Sequence, residues 1–305
     1  MTPAWVEVLI RLAQFGFGLV LFGLPAFALY RRRGWDAAQR GGGALRAALM
    51  ASATGLLVVA AAAALALTVN MYGTLADALD VEALWSVLTG LQVGMALGVR
   101  LGLTTVFLLI VLVMSESTSQ RSTLLVVGGL IVASFAWSGH GAATEGTWAL
   151  VHLASDVFHL LAASIWIGAL LVLIASLARA SAPRDAAMAL DDLKTFSALG
   201  TVAVLVIVVT GLINSAVLVG WDRVGQMATH PYGQILLAKI ALFAAMLGLA
   251  AAHRFILVPR LESQHLAPGA ALSRLKVSVG IETILGFMVL LAVAAMGRMS
   301  PMAAG

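Results

Sequence analysis

Eight long apolar runs divide the chain, near residues 6–30, 47–70, 91–114, 122–139, 150–178, 197–220, 234–257 and 276–298, with short polar intervals between them. A hydrocarbon core about 30 Å thick takes about 20 residues of α-helix, so each run reads as one crossing. Backbone groups inside lipid find no water and must bond within their own segment, which selects helices. The pattern therefore predicts an all-α, polytopic transmembrane bundle of about eight helices. The fourth run is the weakest, being short and Gly-rich from Val126 to Gly139. The first run, Val8 to Tyr30, is followed by Arg31, Arg32 and Arg33 without a small-residue cleavage signal, so it reads as a retained helix. No soluble domain, low-complexity tail or internal repeat stands out, and residues 1–305 read as a single membrane domain whose first five helices occupy 1–178. The longest polar interval, 179–195, is the best candidate boundary between two halves of the bundle.

Charge then orients the bundle. Alternate intervals hold 13 basic residues on one side, from Arg31 to Lys276, against Arg223 and Arg298 on the other. Basic residues mark cytoplasmic loops, so the number of crossings is even and both termini are expected to be periplasmic. Composition agrees: 61% of residues are apolar and 10% charged, where soluble domains carry about 25% charged residues. The net charge of +4 is scattered over short loops and gives no face for nucleic acid, while the absence of cysteine excludes thiolate metal sites and disulfides.

Charges inside a bilayer are costly and face a bundle interior or a water-filled cavity. The fifth run begins VHLASDVFHLLAASIWIG, which sets His152, Asp156 and His159 at i, i+4 and i+7 on one helical face, with Trp166 continuing the stripe. Two imidazoles flanking a carboxylate supply metal ligands, or the carboxylate orients a ligating imidazole. The topology brings His140 (in WSGHGAATEG), Asn214 (in TGLINS) and His230 (in MATHPYG) to the same outer half. Arg100 and Lys239 are expected as charge partners of Asp156, and Glu7 with Arg11 as an interfacial i,i+4 pair. Toward the inner side lie Glu282 and His253, and Lys239, Met246 and His253 form one stripe along the seventh run. Methionine thioether is a soft ligand, and MGRMSPM spaces Met296, Met299 and Met302 three apart at the outer end.

The strings FSALGTVAVLVIVVTGLINSAVLVG (196–220) and HPYGQILLAKIALFAAMLGLAAAHRFILVPRL (230–261), with HLLAASIWIGALLVL (159–173) and the SGH at 138–140, resemble the CopD/PcoD family of bacterial copper-resistance membrane proteins. The resemblance covers residues 135–298 well and includes a CopD-like three-helix region at 189–298, while the first four helices fit in number and placement. It implies an eight-helix inner-membrane protein handling copper, Cu(I) or Cu(II), at the periplasmic face, with a separate periplasmic chaperone of the CopC type as partner. The family pattern has Asn where this chain carries His253.

Together these readings predict copper import rather than catalysis, with His140, His152, Asp156, His159, His230, Met296 and Met299 as metal ligands. Arg100, Asn214, Lys239, Met246, His253 and Glu282 would line the path or balance charge. No ATP-binding loop is present to drive primary transport. The alternatives are a haem b electron-transfer protein, with His159 paired to His140 or His230, and a copper-binding partner of the chaperone that does not itself transport.

Overall fold

The computed structural model describes residues 2–30, 42–115, 117–139, 144, 146–179, 183–257, 259 and 268–304. Ten α-helices are seen among them: α1 (Ala4–Tyr30), α2 (Gly42–Tyr72), α3 (Leu75–Ala78), α4 (Val81–Gly90), α5 (Gln92–Val113), α6 (Thr118–Ala133), α7 (Ala149–Arg179), α8 (Pro183–Val219), α9 (Pro231–Ala252) and α10 (Pro268–Met296). Eight helical spans are long and apolar enough to cross a membrane, at 4–30, 43–72, 92–113, 118–138, 146–178, 197–219, 231–256 and 273–296, each overlapping one of the eight runs. Pro183, Pro231 and Pro268 open α8, α9 and α10, where the missing N–H would have no intrahelical partner anyway.

Two intervals expected as loops are helical. Residues 75–90 form α3 and α4 because their polar residues are caps: Thr74 and Asp77 make a reciprocal capping box, and Asp80 Oδ1 accepts from Glu82 N–H at 2.7 Å. The exposed apolar side chains of Leu79, Val81 and Trp85 suit this pair to the membrane–water boundary. Likewise the 179–195 interval is taken up from Pro183 by α8, which continues without interruption into its span.

Helix α1 is the hub. It packs on α2 and α6 on one side and on α7 and α10 on the other. Leu21 and Leu24 join a cluster with Leu56, Phe107, Leu124 and Ile131, while Phe27 joins a second with Trp166, Leu170, Ile207, Met246 and Val279. The close approach of α1 to α7 depends on glycine. A Cβ on Gly23 would stand 2.0 Å from the Ser164 carbonyl oxygen, and one on Gly168 would stand 2.2 Å from the Gly23 carbonyl carbon. Small residues at a crossing let two backbones touch where lipid offers no hydrophobic drive of its own. That contact sets the depth and rotation of α7, which carries the His–Asp–His face.

Both ends of the chain lie at the same end of the bundle. Arg298 Nε meets Glu7 Oε2 at 2.6 Å, and Glu7 Oε1 also accepts from Thr2 Oγ1 at 2.7 Å and Asn70 Nδ2 at 3.0 Å. The sequence reading paired Glu7 with Arg11. The carboxylate is instead held by the distal end of the chain, and Arg11 packs its guanidinium where a Cβ on Gly297 would clash.

Candidate functional site

A cavity of about 360 Å³ opens between α1, α7, α8, α9 and α10. Its walls are mostly apolar, and its polar groups include Arg11, His152, Asp156, His159, Asn214 and Lys239. The expected face of α7 therefore does line one cavity, joined there by residues from the sixth and seventh spans. Met246, Met296 and Trp166 also line it.

The two imidazoles are held from outside the expected set. His152 is 1% exposed, and its Nδ1 lies 2.7 Å from Thr144 Oγ1. His159 Nδ1 lies 3.0 Å from Thr210 Oγ1 on α8. Thr210 has one hydroxyl hydrogen, and that hydrogen is donated along the helix to the Val206 carbonyl at 2.5 Å. The Thr210 oxygen is left to accept, so His159 donates through Nδ1–H and keeps its lone pair on Nε2. Ser155 Oγ donates to the Thr210 carbonyl at 3.1 Å and pins the two helices beside this contact. A neutral imidazole with a fixed Nδ1–H and a free Nε2 is the form that ligates a metal. Thr210 was missed in the sequence, although its place one turn before Asn214 on the same face was a usable signal.

Asp156 accepts from Asn214 Nδ2 at 3.4 Å and shares the cavity with Lys239. Asn214 Oδ1 is a buried side-chain oxygen without a hydrogen-bond partner among the described residues. Gly139, the residue before His140, packs against Asp156, with a Cβ there lying 3.9 Å from Oδ2. His140 itself lies outside the described residues, as does the side chain of His253, which opens a π-helical turn (His253–Leu257) after α9.

Arg100 does not pair with Asp156. It is 1% exposed in the first half of the bundle, with Nη1 donating to Gln14 Oε1 at 2.7 Å and Nη2 to the Ser134 carbonyl at 3.0 Å and Ser138 Oγ at 2.9 Å. Its guanidinium also lies 3.8 Å over the Phe135 ring. A planar fork with five donors is satisfied by neutral acceptors more readily than the sequence suggested. Glu282, 2% exposed, stands behind the cavity wall and accepts from Trp166 Nε1 at 3.0 Å.

His230 and Met299 are not in this cavity. They line a separate, open pocket with Met302 and Arg223. His230 Nδ1 accepts from the Tyr232 backbone N–H at 3.2 Å, capping α9, so its ring proton sits on Nε2 in this conformer. No three His, Asp or Glu side chains converge tightly enough to hold one ion among the described residues. The reason is helical: at 1.5 Å rise per residue, His152 and His159 stand about 10 Å apart along α7. Their shared face therefore does not make one chelate.

Residues 1–151 match the family model for the copper resistance protein D-like N-terminal domain, and residues 190–296 match copper resistance protein D. The first match extends the resemblance to the early helices. The chain is 31% identical to copper resistance protein D of Pseudomonas syringae pv. tomato over 310 residues, covering 97% of each protein. Inner membrane protein YebZ of Escherichia coli (strain K12) is 32% identical over 123 residues, 40% of this chain and 41% of that protein. The copper transport protein CutJ of Bacillus subtilis (strain 168) is 35% identical over 125 residues, 41% of this chain and 22% of that protein. No solved structure matches. With two family models covering its two halves and a relative aligned from end to end, this multi-pass inner-membrane protein belongs to the copper resistance protein D family.

Proposed function

We propose that the chain carries copper across the inner membrane, from periplasm to cytoplasm, with the ion received in the cavity of His152, Asp156 and His159. The observation that carries this reading is His159: a membrane-embedded imidazole whose Nδ1–H is engaged by Thr210, leaving the Nε2 lone pair in a cavity that Asp156 also lines. Asn214 Oδ1, still lacking a donor, adds an oxygen ligand to the same volume. The names of the relatives from Pseudomonas syringae and Bacillus subtilis point the same way.

The loop arginines support placing the terminal end, and with it the cavity mouth, on the periplasmic side. An inside-negative potential then favours entry of a cation by ~2.3 kcal/mol per charge per 100 mV. Lys239 supplies the charge that balances Asp156 when no ion is present. Glu282 behind Trp166, with Met246 in the wall between α7 and α10, marks the inward continuation. Because α1 contributes to both packed clusters, the whole chain acts as one membrane unit, and the interval before α8 is a joint within it. Delivery by a separate periplasmic chaperone of the CopC type accords with the family resemblance.

Copper uptake into proteoliposomes tests the proposal, comparing the unaltered chain with His159→Ala and Asp156→Asn. Both variants should lose most of the flux. Flux equal to empty liposomes for the unaltered chain would leave a copper-binding protein that does not transport, and equal flux in all three would move the site elsewhere. A haem b reading needs two facing imidazoles. His152 and His159 stand on one helix, and no other described imidazole lines the opposing wall.

A further inference from the structure

The His–Asp cavity leaves unused most of the soft ligands gathered at the end of the bundle that carries the termini. A second, open pocket of about 550 Å³ lies there, and Met299 and Met302 are among its lining residues. The methionines packed around it come from two distant stretches. Met227 precedes α9, and Met296, Met299 and Met302 close the chain, yet all four belong to one packed group with Val219 and Tyr232. Met302 is 3% and Met296 7% exposed, while Met227 and Met299 are partly buried. Met296 lines the His–Asp cavity, and it packs in one group with Met302, which lines the open pocket, so the group reaches both spaces.

The arrangement is built, not a frayed terminus. Gly220, at φ +78°, turns the chain out of α8. Gly233 allows the first turn of α9 to sit on the backbone of Met227, where a Cβ would stand 2.4 Å from the Met227 carbonyl oxygen. Arg223 Nη1 donates to the Met302 carbonyl, and Arg298 binds Glu7 at 2.6 Å, which ties the C-terminal segment down at two points.

The chemistry of these donors is selective. A thioether carries no charge and suits Cu(I), whereas hard divalent cations prefer oxygen. Arg223 in the lining repels a divalent ion more than a monovalent one. His230, with Nδ1 committed to the α9 cap, presents an N–H and no lone pair to this pocket. We propose that Met227, Met296, Met299 and Met302 form a Cu(I)-selective entry site that passes the ion through Met296 to the His–Asp cavity. This inference rests on the copper reading of that cavity, and it commits the entering ion to the monovalent state.

The test uses the full chain in detergent with Ag(I), a redox-silent probe for Cu(I), alongside Zn(II). Leucine matches methionine in size and retains the packing, so the variants are Met299→Leu/Met302→Leu and Met227→Leu/Met296→Leu. Each pair should lower Ag(I) affinity by at least the about 10–100-fold lost when outer-shell partners of a metal are removed, remove sulfur from the silver X-ray absorption shell, and leave Zn(II) binding unchanged. The His159→Ala/Asp156→Asn double variant should keep the sulfur-ligated ion while losing flux. Unchanged Ag(I) affinity in both methionine variants overturns the entry site and leaves the cavity reading standing. A sulfur shell that persists beside normal flux in the cavity variant sinks the cavity reading alone.

Discussion

Replacing Thr210 by valine tests the chemistry of the site at a residue that need not touch the ion. The two side chains are nearly isosteric, so the α7–α8 contact keeps its volume, and the Ser155 bond to the residue 210 carbonyl is untouched. What disappears is the oxygen 3.0 Å from His159 Nδ1. A half-buried N–H that loses an acceptor costs up to about 1–3 kcal/mol, less where the Ile207 carbonyl takes up the proton. The ring recovers part of that by rotating or by moving its proton to Nε2, and either change removes the lone pair from the cavity. Outer-shell partners of metal-ligating histidines are worth about 10–100-fold in affinity. Thr210→Val should therefore weaken Ag(I) or Cu(I) binding at the cavity by that factor in a chelator competition, with the thermal midpoint only modestly lowered. Thr210→Ser retains the oxygen and should restore binding. Valine and serine variants that both bind as tightly as the parent would refute the argument that Thr210 orients a ligating His159. Loss in both would assign Thr210 to packing.

Three further outcomes follow from the geometry. Gly23→Ala or Gly168→Ala drives a methyl into the facing backbone at about 2 Å; overpacking of this kind costs about 1–3 kcal/mol, and each variant should show a clear loss of thermal stability in detergent, whereas Gly16→Ala, with open space around it, should not. Arg100→Lys cannot reach Gln14, Ser134 and Ser138 together, so stability should fall; because Arg100 lies beside the cavity and points to neutral acceptors, Ag(I) affinity should stay at the parent value, and a matching fall in affinity would tie Arg100 to the site. A C-terminal alkaline phosphatase fusion should be active and a C-terminal green fluorescent protein fusion dark; the reverse would place the termini in the cytoplasm and invert the proposed direction.

What was legible in the sequence was whatever depends on one helix and the bilayer. Transfer of apolar side chains into lipid is local, so eight spans could be read residue by residue, and the His152–Asp156–His159 face followed from helical periodicity alone. The interval at 75–90 failed that reading because Thr74, Asp77 and Asp80 look like loop residues until their side chains are seen to cap helices. Partner choice was illegible throughout. Glu7 had a cation four residues away and took Arg298 instead, and Arg100 found neutral acceptors on two other helices in place of Asp156. Those pairings depend on which helix faces meet, and these are set by close crossings such as Gly23 on Gly168, between residues far apart in the chain. Tertiary structure alone decided that the ligand candidates separate into a His–Asp cavity, which Met296 lines, and an open pocket lined by Met299 and Met302. Hydropathy sets how deep a side chain lies in the membrane, but only helix packing sets what stands across from it.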